Sequence, residues 1–195
     1  MIRTVACPAF LFVIVLFSWA QTGPALEERL AAHRNLGKAF YENPTTQVQS
    51  VDEFSKALAL SPKSVRERVN YGLALLRAAK TDEGIAHLKL AQAADAGLPQ
   101  TWFNLGIQYK RRGETAPALE QLRKARELAP RDAIIHYNIA VLEKMDGVLD
   151  RAIAGFEKAS LLDPNLAAPH FQLFNALRQN EIGRASCRER MSLVV

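Results

Sequence analysis

TWFNLGIQYKRRGETAPALEQLRKARELAP, residues 101–130, holds two amphipathic patterns joined by a break. Trp102, Leu105 and Tyr109 recur at helical spacing and make one apolar face. Gly113 interrupts that pattern, and Glu114-Thr115 leads into a second helical run ending near Ala129. The second run places Ala118, Leu122 and Ala125 on one side, and Pro130, lacking an N–H to continue the ladder, closes it. Gly106, Ala118 and Ala125 are small, as two closely packed helices require. Enlarging Ala125 to Leu is expected to cost about 1–3 kcal/mol by overpacking.

The pattern repeats. Tyr71, Leu105, Ile139 and Leu173 lie 34 residues apart, preceded by Asn70, Asn104, Asn138 and Gln172. Gly72, Gly106, Ala140 and Phe174 follow them. The same period carries Gly84, Ala118 and Ala152, then Leu88, Leu122 and Phe156, then Ala91, Ala125 and Ala159. Pro62, Pro130 and Pro164 close units. A helix-turn-helix unit of this length, with these small and apolar columns, resembles the tetratricopeptide repeat (TPR). The resemblance implies an all-α, right-handed α-solenoid of about four repeats plus one extra helix. The predicted units are 30–64, 65–98, 99–132 and 133–166, with a half-repeat at 167–180. The first carries one extra residue in its YENPTTQVQ turn, and residues 21–29, QTGPALEER, lead into its first helix, which ALEERL is expected to extend. Phe174 stands where other units have Gly or Ala, so the last helix is expected to pack less closely than its predecessors.

The family's concave groove is lined by first helices, and the resemblance carries that role onto specific columns. One holds Arg34, Val69, Phe103, Tyr137 and Phe171; the next holds Asn35, Asn70, Asn104, Asn138 and Gln172. A third holds Lys38, Leu73, Ile107, Val141 and Asn175, and a fourth Tyr41, Leu76, Lys110, Lys144 and Arg178, with Arg66, Arg77 and Arg111 nearby. As a binding surface this is an amide ladder, an aromatic strip and basic edges. Amides donate to and accept from a peptide backbone without choosing a sequence, and basic edges favour an acidic partner. The candidate groove residues are therefore Asn35, Asn70, Asn104, Asn138, Phe103, Tyr137, Lys110, Arg111 and Lys144. The alternative is that the amides merely belong to the repeat and the aromatics pack between helices. The family's carboxylate clamp is not reproduced, failing at Gln100 and Asn104.

Catalytic and metal signatures are absent from the sequence. His136 and His170 share a column, but successive repeats separate equivalent side chains by about 10 Å, too far for two ligands of one zinc. They read as semi-buried structural histidines. No phosphate-binding Gly-rich loop, nucleophile elbow or paired carboxylate appears, so neither enzyme activity nor a cofactor is expected. The net charge of +5 is modest and lacks a basic stripe interleaved with aromatics, which argues against nucleic acid.

The two ends differ from the repeats. Residues 1–20, MIRTVACPAFLFVIVLFSWA, have the layout of a secretory signal peptide: Arg3, a short apolar run, then Ser18-Trp19-Ala20. The run is shorter than the roughly 20 residues that span a bilayer, so cleavage is expected over a retained anchor, with no stable membrane span afterwards. The chain is thus expected in the periplasm, envelope or outside the cell. Residues 21–180 contain no cysteine, so packing alone must stabilise them. EIGRASCRER, Glu181–Arg190, resembles the conceptual translation of a common short-read sequencing adapter, and residues 181–195 are expected to be non-native. Together the leader, NLGKAFYENPTTQ, NYGLALLRAAKT, TWFNLGIQYKRRGE and PHFQLFNALRQ resemble exported bacterial proteins of the ASPIC/UnbV type. In those, TPR segments precede FG-GAP/VCBS-like β-propeller repeats, implying a fragment of a larger protein. The function expected is an exported scaffold binding protein or peptide; the alternative is a recruiting or regulatory arm of a multidomain enzyme.

Overall fold

The computed structural model describes residues 24–192, with side chains described through Gly183 and at Ala185. The leader at 1–20 lies outside the described residues, as does the side chain of Cys187. The described residues form nine helices and no strand: α1 (Pro24–Glu42), α2 (Gln47–Leu60), α3 (Val65–Arg77), α4 (Thr81–Ala94), α5 (Pro99–Arg111), α6 (Thr115–Leu128), α7 (Ala133–Met145), α8 (Leu149–Leu162) and α9 (Ala167–Ser192). None is long and apolar enough to cross a membrane. The chain divides between Leu90 and Ala91 into two compact units. Helix α1 begins at Pro24, so ALEERL is helical.

The glycine column explains how each hairpin closes. A methyl at Gly106 would stand 2.7 Å from Leu122 Cγ, and one at Gly37 would stand 2.9 Å from the Phe54 ring. At Gly72 the neighbour is Leu88. Each first helix thus receives one large side chain of its own second helix into the space a Cβ would fill. In the fourth hairpin Ala140 takes the column, and its methyl is met by Gly155 across the interface, a Gly in the partner helix instead. Ala57, Ala91, Ala125 and Ala159 are fully buried at the next position of contact.

The turns repeat as closely as the helices. Ala79, Gly113 and Gly147 have φ of 62°, 74° and 78°. In each turn the following N–H reaches back to the last helical turn: Lys80 to Leu75 O, Glu114 to Tyr109 O and Val148 to Glu143 O, all at 2.9 Å. This is the left-handed helix stop that glycine adopts without strain. The first hairpin differs. Its connection, Asn43–Thr46, has the extra residue and is held by Asn43 Oδ1, which accepts from Thr45 N at 3.0 Å and Oγ1 at 2.8 Å.

In the first unit, Val51, Phe54, Ala74 and Leu75 form a core between α2 and α3. In the second, Ala118, Leu119, Leu122, Ala125, Ile135, Ile139 and Leu142 join α6 to α7, and Ala140, Ala152, Phe156 and Ala176 join α7, α8 and α9.

One expectation at the C-terminal end changes. Leu173 and Ala176 pack α9 onto this last cluster, while Phe174 is 63% exposed. The Phe174 column faces each first helix's own second helix, not the preceding repeat, so its bulk does not loosen the packing of α9. Gly183 does not interrupt α9, which runs on through Ser192 and spans 26 residues against 13 for α3, α5 and α7. Glu181 occupies the column of Gly113 and Gly147 and stays helical, so no turn forms there.

Candidate functional site

In the first unit, the predicted groove columns converge on a cleft of about 420 Å³ between α1 and α3. Tyr41, Phe54 and Leu73 give it apolar walls, and Arg34, Lys38, Glu42 and Asn70 border it. Arg34 is fixed in place. Its Nε and Nη2 donate to Glu67 Oε1 at 3.0 and 2.6 Å. The Glu67 side chain is 0% exposed. Arg66 Nε reaches the same oxygen at 3.3 Å, and Asn70 Nδ2 donates to Oε2 at 3.4 Å. A carboxylate removed from water is costly unless paired and hydrogen-bonded, and Glu67 has two guanidinium groups and an amide around it. The Arg77 guanidinium lies 4.8 Å from the centre of the Tyr41 ring. Lys38 is exposed and makes no ion pair or hydrogen bond among the described residues. Arg34 and Lys38 border the cleft with Glu42, and Arg77 lies over its Tyr41 wall, so cations outnumber the carboxylate that borders it. Asn35 is exposed on α1.

In the second unit the amide column is engaged within the protein. Asn104 Nδ2 donates to Gln100 O at 2.8 Å, and Asn138 Nδ2 to Ile134 O at 2.8 Å. Lys110 Nζ donates to Asn138 Oδ1 at 2.8 Å, and Lys144 Nζ to Gln172 Oε1 at 3.0 Å. Each lysine thus clasps the amide of the next first helix. Burial pushes the ammonium of half-buried Lys110 below its usual range. Both partners are neutral amides, so the bonds orient the lysine charges without cancelling them. Phe103 packs on the α6–α7 core, and Tyr137 on the α7–α9 core, its ring 5.9 Å from that of Phe156. Arg111 is exposed. Lys144, Asn175, Arg178, Gln179 and Ile182 line a second cleft of about 300 Å³.

His136 and His170 each act through one ring nitrogen. His136 Nε2 donates to Pro130 O at 2.9 Å, and His170 Nε2 to Pro164 O at 3.1 Å. Trp102 Nε1 donates to Ala96 O at 2.9 Å, and Arg68 Nη2 to Pro62 O at 2.7 Å. Arg68, Trp102, His136 and His170 form one column, each stapling its helix to the carbonyl six residues earlier. His170 is exposed, not semi-buried as expected. Among the described residues no group of three or more His, Cys, Asp or Glu could hold a metal ion.

No family model matches the chain, and no curated protein matches it. Solved structures do. MamA from Desulfovibrio magneticus RS-1 is similar at 14% identity and a TM-score of 0.69, over 85% of this chain and 93% of that one. A further structure of MamA gives 17% identity and 0.68, over 83% and 88%. PilF of Pseudomonas aeruginosa gives 18% identity and 0.72, over 80% and 71%. Both are TPR solenoids. The fold class is that expected, an all-α solenoid of TPR hairpins.

Proposed function

We propose that this chain is an exported scaffold, not an enzyme, that binds acidic segments of partner proteins on its first helices. The observation that supports this most is the cleft of the first unit, bordered by Arg34 and Lys38 against Glu42, with Arg77 over its Tyr41 wall. In the second unit Lys110 and Lys144 add charge that their neutral amide partners leave uncompensated. Such a surface steers and orients acidic partners, and its contribution weakens with salt. Export rests on the leader at 1–20, with its basic start, short apolar run and small residues before the cleavage point.

The test is to pan random displayed peptides on the purified full chain. Acidic peptides are expected to be enriched and to be released by salt. Charge reversal at both Lys38 and Lys144 is expected to reduce their capture. Enrichment of basic or neutral sequences, or indifference to the double reversal, overturns the reading. Sequencing the N-terminus of the protein secreted from its host tests export: a start at Gln21 supports it, and a start at Met1 opposes it.

A further inference from the structure

The clasp that joins successive first helices in the second unit is missing between α1 and α3. Lys110 reaches Asn138, and Lys144 reaches Gln172. The equivalent positions in the first unit are Tyr41 and Asn70. Tyr41 carries no ammonium and is stacked under Arg77 at 4.8 Å. Asn70 turns its amide to Glu67. The clasping lysine is therefore absent, Tyr41 being engaged by Arg77 in its place, and the space between Tyr41 and Asn70 is the cleft of about 420 Å³. That volume lies at the low end of the roughly 300–1,000 Å³ typical of ligand clefts. It suits one large side chain better than a long segment.

We propose that the unclasped cleft selects one large apolar side chain, aromatic by preference, flanked by carboxylates in a segment of a partner protein. This rests on the acidic-partner reading above and specifies what that partner must carry. The apolar side chain fills the space between Tyr41, Phe54 and Leu73. Carboxylates on either side of it meet Lys38, whose ammonium has no partner among the described residues, and Arg77 at the rim. Arg34 takes a different part. Held by Glu67 at 2.6 Å, it forms a fixed wall and keeps the cleft from collapsing onto Asn70.

The test uses two labelled, capped probes, Glu-Glu-Trp-Glu-Glu and Glu-Glu-Ala-Glu-Glu, and fluorescence anisotropy with the full chain. Burying one large aromatic side chain sets the expected preference for the Trp probe at about tenfold or more. Tyr41→Lys supplies Asn70 with the clasp seen at Lys110 and Lys144, and is expected to abolish that preference while both probes still bind. Leu73→Phe, which fills the cleft without adding charge, is expected to do the same, and circular dichroism verifies the helicity of each variant. Equal binding of both probes to the unaltered chain, or a preference that survives both substitutions, overturns the proposal and leaves the acidic-partner reading standing. Failure of both probes to bind removes both readings.

Discussion

The ammonium of Lys110 sits 2.8 Å from Oδ1 of Asn138, and the pairing recurs one repeat later between Lys144 and Gln172 at 3.0 Å. Lys110 is half-buried, and Asn138 is buried with its Nδ2 already committed to Ile134 O. Lys110→Ala leaves Oδ1 unpaired and is expected to destabilise the second unit by about 1–2 kcal/mol. Asn138→Leu with Lys110→Met, which removes donor and acceptor together, is expected to cost less than Lys110→Ala. Urea unfolding followed by circular dichroism distinguishes these outcomes.

Ala79 takes up a left-handed turn with φ of 62° where its counterparts are Gly113 and Gly147. A side chain in that conformation costs roughly 1–2 kcal/mol. Ala79→Gly is expected to raise the stability of the first unit by about 1 kcal/mol, after allowing for glycine's extra freedom in the unfolded chain. Gly113→Ala and Gly147→Ala are expected to lower stability by a similar amount. No atom lies within 4 Å of the added methyl at either glycine, so the loss is one of backbone conformation alone. The shift in urea midpoint of the three variants checks the sign at each position.

Gly106 leaves no room for a side chain, since a Cβ there would lie 2.7 Å from Leu122 Cγ. Gly106→Ala gains helix propensity, but the steric conflict outweighs it, and a net loss of about 1–3 kcal/mol is expected. Adding Leu122→Ala to that variant relieves the clash and replaces it with a cavity. The double variant is expected to be less destabilised than the sum of the two single ones, which a double-mutant cycle measures.

His87 provides a pH dependence. Its Nδ1 is buried without a hydrogen-bond partner, and its ring stands edge-on to Tyr71 at 4.6 Å. Burial first, and the charge of Arg68 second, hold its pKa below the usual 6.5, with Glu83 opposing. The unfolded chain therefore takes up this proton before the folded chain does. The stabilisation is fully present above about pH 6.5 and is lost as the pH falls through the lower, folded value. His87→Phe is expected to flatten the dependence of the urea midpoint on pH between about 7 and 5. Glu53, whose carboxylate is stabilised by His33 and then Lys56, acts in the same direction but below 4.5, outside that window.

The hairpins, the glycine column and the extra residue in the first turn were all legible in the sequence, because each is written in residue size at a fixed period. The columns that border the cleft were legible through the family resemblance, which carries Arg34, Lys38, Tyr41, Asn70 and Leu73 onto the groove face. The fate of the amides was harder to read. A column of Asn looks free until the lysine 28 residues earlier is noticed, as at Lys110 and Asn138. Glu67 gave less warning still: its charge suggests solvent, and the partner that permits its burial, Arg34, is 33 residues away. The cleft itself depends on side-chain reach and on what Tyr41 does not do. No periodicity encodes that.

The staple column has a consequence for how this molecule can diverge. Arg68, Trp102 and the two histidines, His136 and His170, differ in size and charge, yet each presents an N–H to the equivalent backbone oxygen, six residues earlier. What is retained from repeat to repeat is a donor at a certain distance, and three residue types, Arg, Trp and His, satisfy it. Comparison by residue type would score these positions as unrelated, while superposition would find them equivalent. A protein built this way can exchange the side chain at this position from repeat to repeat and keep its architecture.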